Sequence, residues 1–141
     1  MIEAAFVNHR GPTLGYRITD GGVTVTYLPD HEPALGQRID RSTPEWISGH
    51  SLARDADLLI HDCQYHDHEY PEHVGWGHSS ISDSIAFARR SGAQRLALFH
   101  HDPTHDDDAI DQINAQAQTT AGAAFAEVTA AAESKITHLA R

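Results

Sequence analysis

The stretch LLIHDCQYHDHEYPEHVGWGHSSISDSIAFARRSGAQRLALF (Leu58–Phe99) carries two short apolar runs, Leu58 to His61 and Arg95 to Phe99, on either side of a segment with helical periodicity. Aliphatic residues that run without alternation mark strands buried on both faces. Between them Ser79 or Ser80 offers a hydroxyl cap, Ile81, Ile85 and Ala88 fall on one stripe, and Gly92 supplies a C-terminal stop. Strand, helix, strand in that order predicts a βαβ unit with two parallel strands and a right-handed crossover, and hence an α/β fold.

Working outward, Gly15 to Thr19 and Val23 to Leu28 flank Asp20-Gly21-Gly22, which predicts an antiparallel hairpin preceded by the apolar run AAFVN. Pro29 ends the second strand, because proline cannot donate to the ladder. Ser42-Thr43-Pro44-Glu45 reads as a helix start with Trp46, Ile47 and Leu52 on its apolar face. Asp106 to Asp108 precede a helix carrying Ile110 and Ile113, where acidic residues favour the positive end of the helix dipole. The alanine-rich stretch Ala121 to Ala132 admits either helix or hairpin, and Ile136 to Leu139 reads as a closing strand.

With 141 residues the chain is sized for one domain. Ten Lys and Arg against 20 Asp and Glu give a formal charge of -10, which argues against a simple nucleic-acid module or attraction to an anionic membrane face. No apolar run approaches the roughly 20 residues that span a bilayer, and MIEAAFVNHR lacks the features of a secretory signal, so a cytoplasmic location is expected. Cys63 is the single cysteine, which rules out an internal disulfide and a thiolate cluster. A metal would have to use histidine and carboxylate, and there are 12 histidines.

In α/β folds functional side chains gather beyond the C-terminal ends of strands. His9, Asp30, His61 with Asp62, and His100 with His101 all stand at such ends, a ligand set that suits zinc, iron or manganese. One histidine at a strand end is more often a structural hydrogen-bonding residue, but four clusters at successive strand ends favour a site. His66, His68, His73 and His105 lie in polar stretches and read as solvated surface, as do Arg89 and Arg90 on their helix.

These residues form an ordered series: HRGPTLGYRI (His9–Ile18), YLPD (Tyr27–Asp30), LIHDCQY (Leu59–Tyr65), GHSS (Gly77–Ser80) and LFH (Leu98–His100). The series resembles the C-terminal half of a metallo-β-lactamase-fold hydrolase, closest to the branch of ribonuclease Z and related phosphodiesterases. The resemblance implies half of a four-layer αββα sandwich, a mixed sheet with helices on one face. It implies zinc as cofactor, two ions in a complete site with manganese or iron as substitutes. His9, Asp30 and His100 would be metal ligands, Asp30 bridging, with His101 the alternative to His100 because strand neighbours point oppositely. His61 would help protonate the leaving oxygen, and His78 would belong to a loop beside the active site.

The family's first metal motif, H-x-H-x-D-H, is absent from the 141 residues; His66-Asp67-His68 is the nearest string and stands in the wrong order. The expectation is therefore one metallo-β-lactamase-like domain, 1–141, lacking the N-terminal half that carries that motif. Its partner would be a small phosphodiester, such as a cyclic nucleotide, or a related ester, rather than a nucleic-acid polymer or a membrane. Self-association or a complementary N-terminal half would cover the exposed sheet face. The alternative is a degenerate, non-catalytic metal-binding or dimerisation module.

Overall fold

The computed structural model describes residues 1–139. Six strands, β1 (Ile2–Val7), β2 (Thr13–Asp20), β3 (Val23–Leu28), β4 (Leu58–Asp62), β5 (Arg95–Phe99) and β6 (Glu127–Ala130), form one mixed sheet in strict sequence order. β1, β2 and β3 pair antiparallel; β3 through β6 pair parallel. The expected hairpin forms at Gly21-Gly22, and the expected βαβ unit is β4, α2 (Ile81–Ser91) and β5. Ser80 caps α2 by accepting from the Asp83 amide, and Gly92, at φ 73°, closes it in the left-handed region.

α2 and α3 (Asp107–Ala121) cover one face of the sheet. Leu28, Leu59, Leu96 and Leu98 from the strands meet Ile81, Ile85, Phe87, Ile113 and Ala117 from the helices, all of them buried. The opposite face carries a row that crosses the sheet by register, Ala4, Tyr16, Tyr27, Ile60 and Ala97. Ile2, Phe6, Leu14 and Ile18 extend it, with Ile2 and Phe6 exposed by 70% and 76%. A contiguous apolar surface of this kind is an association site by default. Sedimentation of the wild-type chain should therefore reveal concentration-dependent self-association that Phe6→Lys with Ile18→Lys reverses; a strictly monomeric wild type that binds no hydrophobic dye would overturn that expectation.

Two sequence expectations fail locally, and one left open is decided. Ser42 to Leu52 is not a continuous helix: a 3₁₀ turn (Pro44–Trp46) is followed by the single helical turn α1 (His50–Ala53). Thr43 makes no side-chain cap, Trp46 is 83% exposed and Gly49 adopts φ 70°, which interrupts helical propagation. In the alanine-rich stretch α3 ends at Ala121 and β6 follows, because Val128 can be buried beside Leu96 on the sheet edge. With that edge occupied, Ile136 to Leu139 forms no strand, and Ile136 is exposed. Among the described residues no helix is long and apolar enough to cross a membrane.

Candidate metal centre

Because β1, β3, β4 and β5 all run in the same direction, their C-terminal ends share one edge of the sheet. The segments leaving that edge bring His9, Asp30, Asp62, His78 and His100 together. His9 follows β1, and its Nδ1 faces Thr13 Oγ1 at 3.0 Å, which fixes the ring. Asp30 stands two residues past β3, and its Oδ1 lies 3.2 Å from His100 Nε2. The ring of His78 stacks on that of His100 at 4.9 Å between centroids and meets His9 edge-on at 5.1 Å.

Asp62 closes β4 and is fully buried. Its Oδ1 accepts from the amides of Ser79 (2.9 Å) and Gln64 (3.2 Å), and its Oδ2 from His78 Nδ1 (2.6 Å) and the His31 amide (3.3 Å). Burial disfavours charge on both partners of the Asp62–His78 pair. At His78 the hydrogen bond and charge of Asp62 outweigh burial, so its pKa is raised.

His100 adopts φ 57°, the left-handed region that residues other than glycine rarely enter. The strand therefore ends at Phe99, and strand alternation no longer decides between His100 and His101. His100 turns back toward Asp30 and Asp62, whereas His101 is in neither metal-capable group, both its ring nitrogens being buried without a hydrogen-bond partner among the described residues.

Two sets of potential ligand atoms each lie within 4.8 Å of one another: His9, Asp30 and His78, and Asp62, His78 and His100. Imidazole nitrogen and carboxylate oxygen at this spacing fit a divalent transition metal, and Asp30 reaches both His9 and His100. The donors fall short of two full coordination shells, since even an open catalytic zinc site takes three protein ligands per ion.

His61 is not part of this cluster. It is wholly buried, stacked on Phe87 at 4.8 Å, with Nδ1 against the Asp62 carbonyl (2.7 Å) and Nε2 against His31 Nδ1 (2.9 Å). Both ring nitrogens are thus engaged inside the fold, and burial pushes its pKa down to about 3. His31, equally buried, is also held well below its ordinary value by burial and by His61.

Two groups have no role assigned from sequence. Asp62 is named with His61 at the strand end, and the role falls to His61; alternation there sends one side chain inward and the other to the site. Glu32, fully buried, gave no signal at all. Nor is every loop histidine solvated: the His105 side chain is 9% exposed and its Nε2 meets Glu69 Oε1 at 3.1 Å.

The family model described as "Beta-lactamase superfamily domain" matches residues 3–101. Curated relatives include the Ribonuclease Z of Myxococcus xanthus, 41% identical over 56 residues, which are 40% of this chain and 18% of that protein. The Ribonuclease Z of Sulfurisphaera tokodaii is 32% identical over 92 residues, 65% of this chain and 27% of that protein. Among solved structures, human tRNase Z, short form, superposes with a TM-score of 0.58 at 28% identity, covering 72% of this chain and 36% of that one. The metallo-beta-lactamase fold protein YhfI from Bacillus subtilis gives 0.64 at 23% identity, covering 92% and 46%. The chain thus spans only about a quarter of the length of the second of these curated relatives, and less of the first.

Proposed function

The chain belongs to the metallo-β-lactamase superfamily, and on that premise we propose that it carries one side of a dinuclear metal site that hydrolyses a phosphodiester. The observation that carries the reading is Asp30, whose carboxylate reaches His9 on one side and His100 on the other. His9, Asp30 and His100 would hold zinc, with manganese or iron suited to the same donors. Bound there, the metal supplies Lewis acidity toward the phosphoryl oxygen and lowers the pKa of a water.

The remaining work belongs to side chains. His78, with Nδ1 fixed by buried Asp62, keeps Nε2 free to hand a proton to the departing oxygen. Asp62 holds the imidazole in one orientation and stabilises its protonated form. The role expected of His61 thereby passes to His78. The ligands of the absent H-x-H-x-D-H pattern would come from a complementary half, on this chain or another, seated on the apolar sheet face.

The curated relatives carry the name Ribonuclease Z, so their named substrate class is RNA, and the shared chemistry is the phosphodiester. The acidic chain favours a small diester, and bound cations would locally invert its field. A non-catalytic metal-binding module is the second reading, favoured by the shortage of donors for two ions.

Elemental mass spectrometry of protein exposed to zinc and desalted tests the site. At least one zinc per chain is expected, lost in His9→Ala and Asp30→Ala, together with a zinc-dependent rate on bis(p-nitrophenyl) phosphate that disappears in His100→Ala. Retained zinc with no rate selects the non-catalytic reading. No retained zinc overturns the metal site for this chain.

A further inference from the structure

Asp30, His31 and Glu32 are consecutive residues beyond β3, and each does something different. Asp30 faces His100. His31 turns inward, its amide bonded to Asp62 and its carbonyl accepting from Ser79 Oγ at 2.6 Å. Glu32 is the buried carboxylate without a cation partner among the described residues. Its charge is met instead by three donors from one loop. Oε1 accepts from Tyr70 Oη and the Gly75 amide, both at 2.8 Å, and Oε2 accepts from the Gly77 amide at 2.8 Å and again from Gly75 at 3.0 Å.

That loop is the one that carries His78. The Gly75 and Gly77 amides converge on the carboxylate from either side of Trp76, whose own amide donates to the His73 carbonyl at 3.0 Å, a nest-like anion site whose backbone depends on Gly75 and Gly77 at φ 83° and 98°. Gly77 also presses on His9: a Cβ at that position would come within 2.9 Å of His9 Cα. Arg10 lies over the Trp76 ring at 4.8 Å, a second tie between the two segments. A single carboxylate thus fixes the height of the loop against His9 and the entry of His78 toward Asp62.

We propose that Glu32 is the positioning residue of the site, its carboxylate clamping the Tyr70–Gly77 loop so that His78 meets Asp62 and His9 is held in place. The proposal rests on the functional reading above only for its consequence on metal binding; the clamp itself is independent of any metal.

The test compares wild type with Glu32→Gln and Tyr70→Phe. Glutamine keeps the shape but sets an NH₂ group against an amide donor, and Tyr70→Phe removes one donor and leaves the backbone nest. In metal-free protein, NMR should detect slow exchange at Gly75 and Gly77 and a low-field Nδ1–H proton for His78 bonded to Asp62. Glu32→Gln should abolish that low-field resonance and the protection, and Tyr70→Phe should weaken both. Zinc affinity should fall about 10- to 100-fold in Glu32→Gln, the loss typical when a group orienting a ligand is removed. Ile113→Ala, a buried substitution on α3, should lower the melting temperature with the resonance and zinc affinity intact. If Glu32→Gln keeps both the resonance and the protection, or if Ile113→Ala loses them equally, the clamp is overturned. A wild type that binds no zinc overturns the functional reading and leaves the clamp to be decided by the resonance.

Discussion

Replacing His78 by alanine is expected to slow hydrolysis of a dinucleotide by about 10²- to 10⁴-fold, the usual worth of a positioned general acid, while bis(p-nitrophenyl) phosphate loses less than about tenfold by the same reasoning. The two substrates separate what the ring does. A ribose oxygen is a poor leaving group and needs a proton as the P–O bond breaks. A nitrophenolate is a stable anion and departs without one. His78 is placed for the first task by the 2.6 Å bond from its Nδ1 to Asp62, by its stack on His100 and by the shielding of Asp62 from solvent. Steady-state rates of zinc-saturated wild type and variant on the two substrates give the answer. Equal losses on both would mean that His78 holds metal rather than a proton, which its membership of both ligand groups permits geometrically. Asp62→Asn should follow the same pattern, with added instability because Asp62 also accepts from three backbone amides.

The second large effect is on stability and comes from the histidines buried behind the site. His61 is neutral in the fold, its pKa depressed by burial to about 3, against about 6.5 for an unfolded histidine. Between these values the unfolded chain binds the proton and the folded chain does not, so stability falls as pH falls. At about 1.4 kcal/mol per pH unit, His61 alone removes about 2 kcal/mol on going from pH 6.5 to 5. His31 is depressed by the same burial and acts in the same direction. Stability from urea unfolding at pH 7.5, 6 and 5 should therefore fall with pH, the loss being partly offset by Asp83, raised to about 6 by burial, and by His78, raised by Asp62, both of which favour the folded state in acid. His61→Gln, which retains a donor and an acceptor but no titrating ring, should flatten the slope. An unchanged slope in that variant would assign the acid sensitivity elsewhere.

How much of this was legible depended on whether the signal was local. The β2–β3 hairpin and the cap and stop of α2 are decided within a few residues of each other, at Asp20-Gly21-Gly22, Ser80 and Gly92, and the sequence reading found all three. The segment after Thr43 failed because its helical pattern competes with Gly49, and Ile136 failed because β6 had already taken the sheet edge. The same division runs through the site. His9, Asp30 and His100 stand at strand ends, where sequence alone marks them. His61 and Asp62 are adjacent, and the choice of which faces the site is made by the packing of His61 on Phe87. Glu32 binds groups 38 to 45 residues away, so no spacing rule could reach it.

The sheet is laid down in the order of the chain, each strand beside its predecessor from β1 to β6. During synthesis this means that each strand after β1 finds its pairing edge already built, with the newest strand and the outer side of β1 as the two open edges. The closures are unequal in kind: the β2–β3 hairpin is local, whereas the parallel pairings of β3 with β4, β4 with β5 and β5 with β6 each close a long crossover, the slower sort of step. The site, by contrast, is completed only when β5 delivers His100 to a rim already formed by His9, Asp30 and Asp62. The rim is therefore assembled before α3 and β6 complete the sheet and its cover, and a nascent chain halted before β5 would hold a growing sheet without His100.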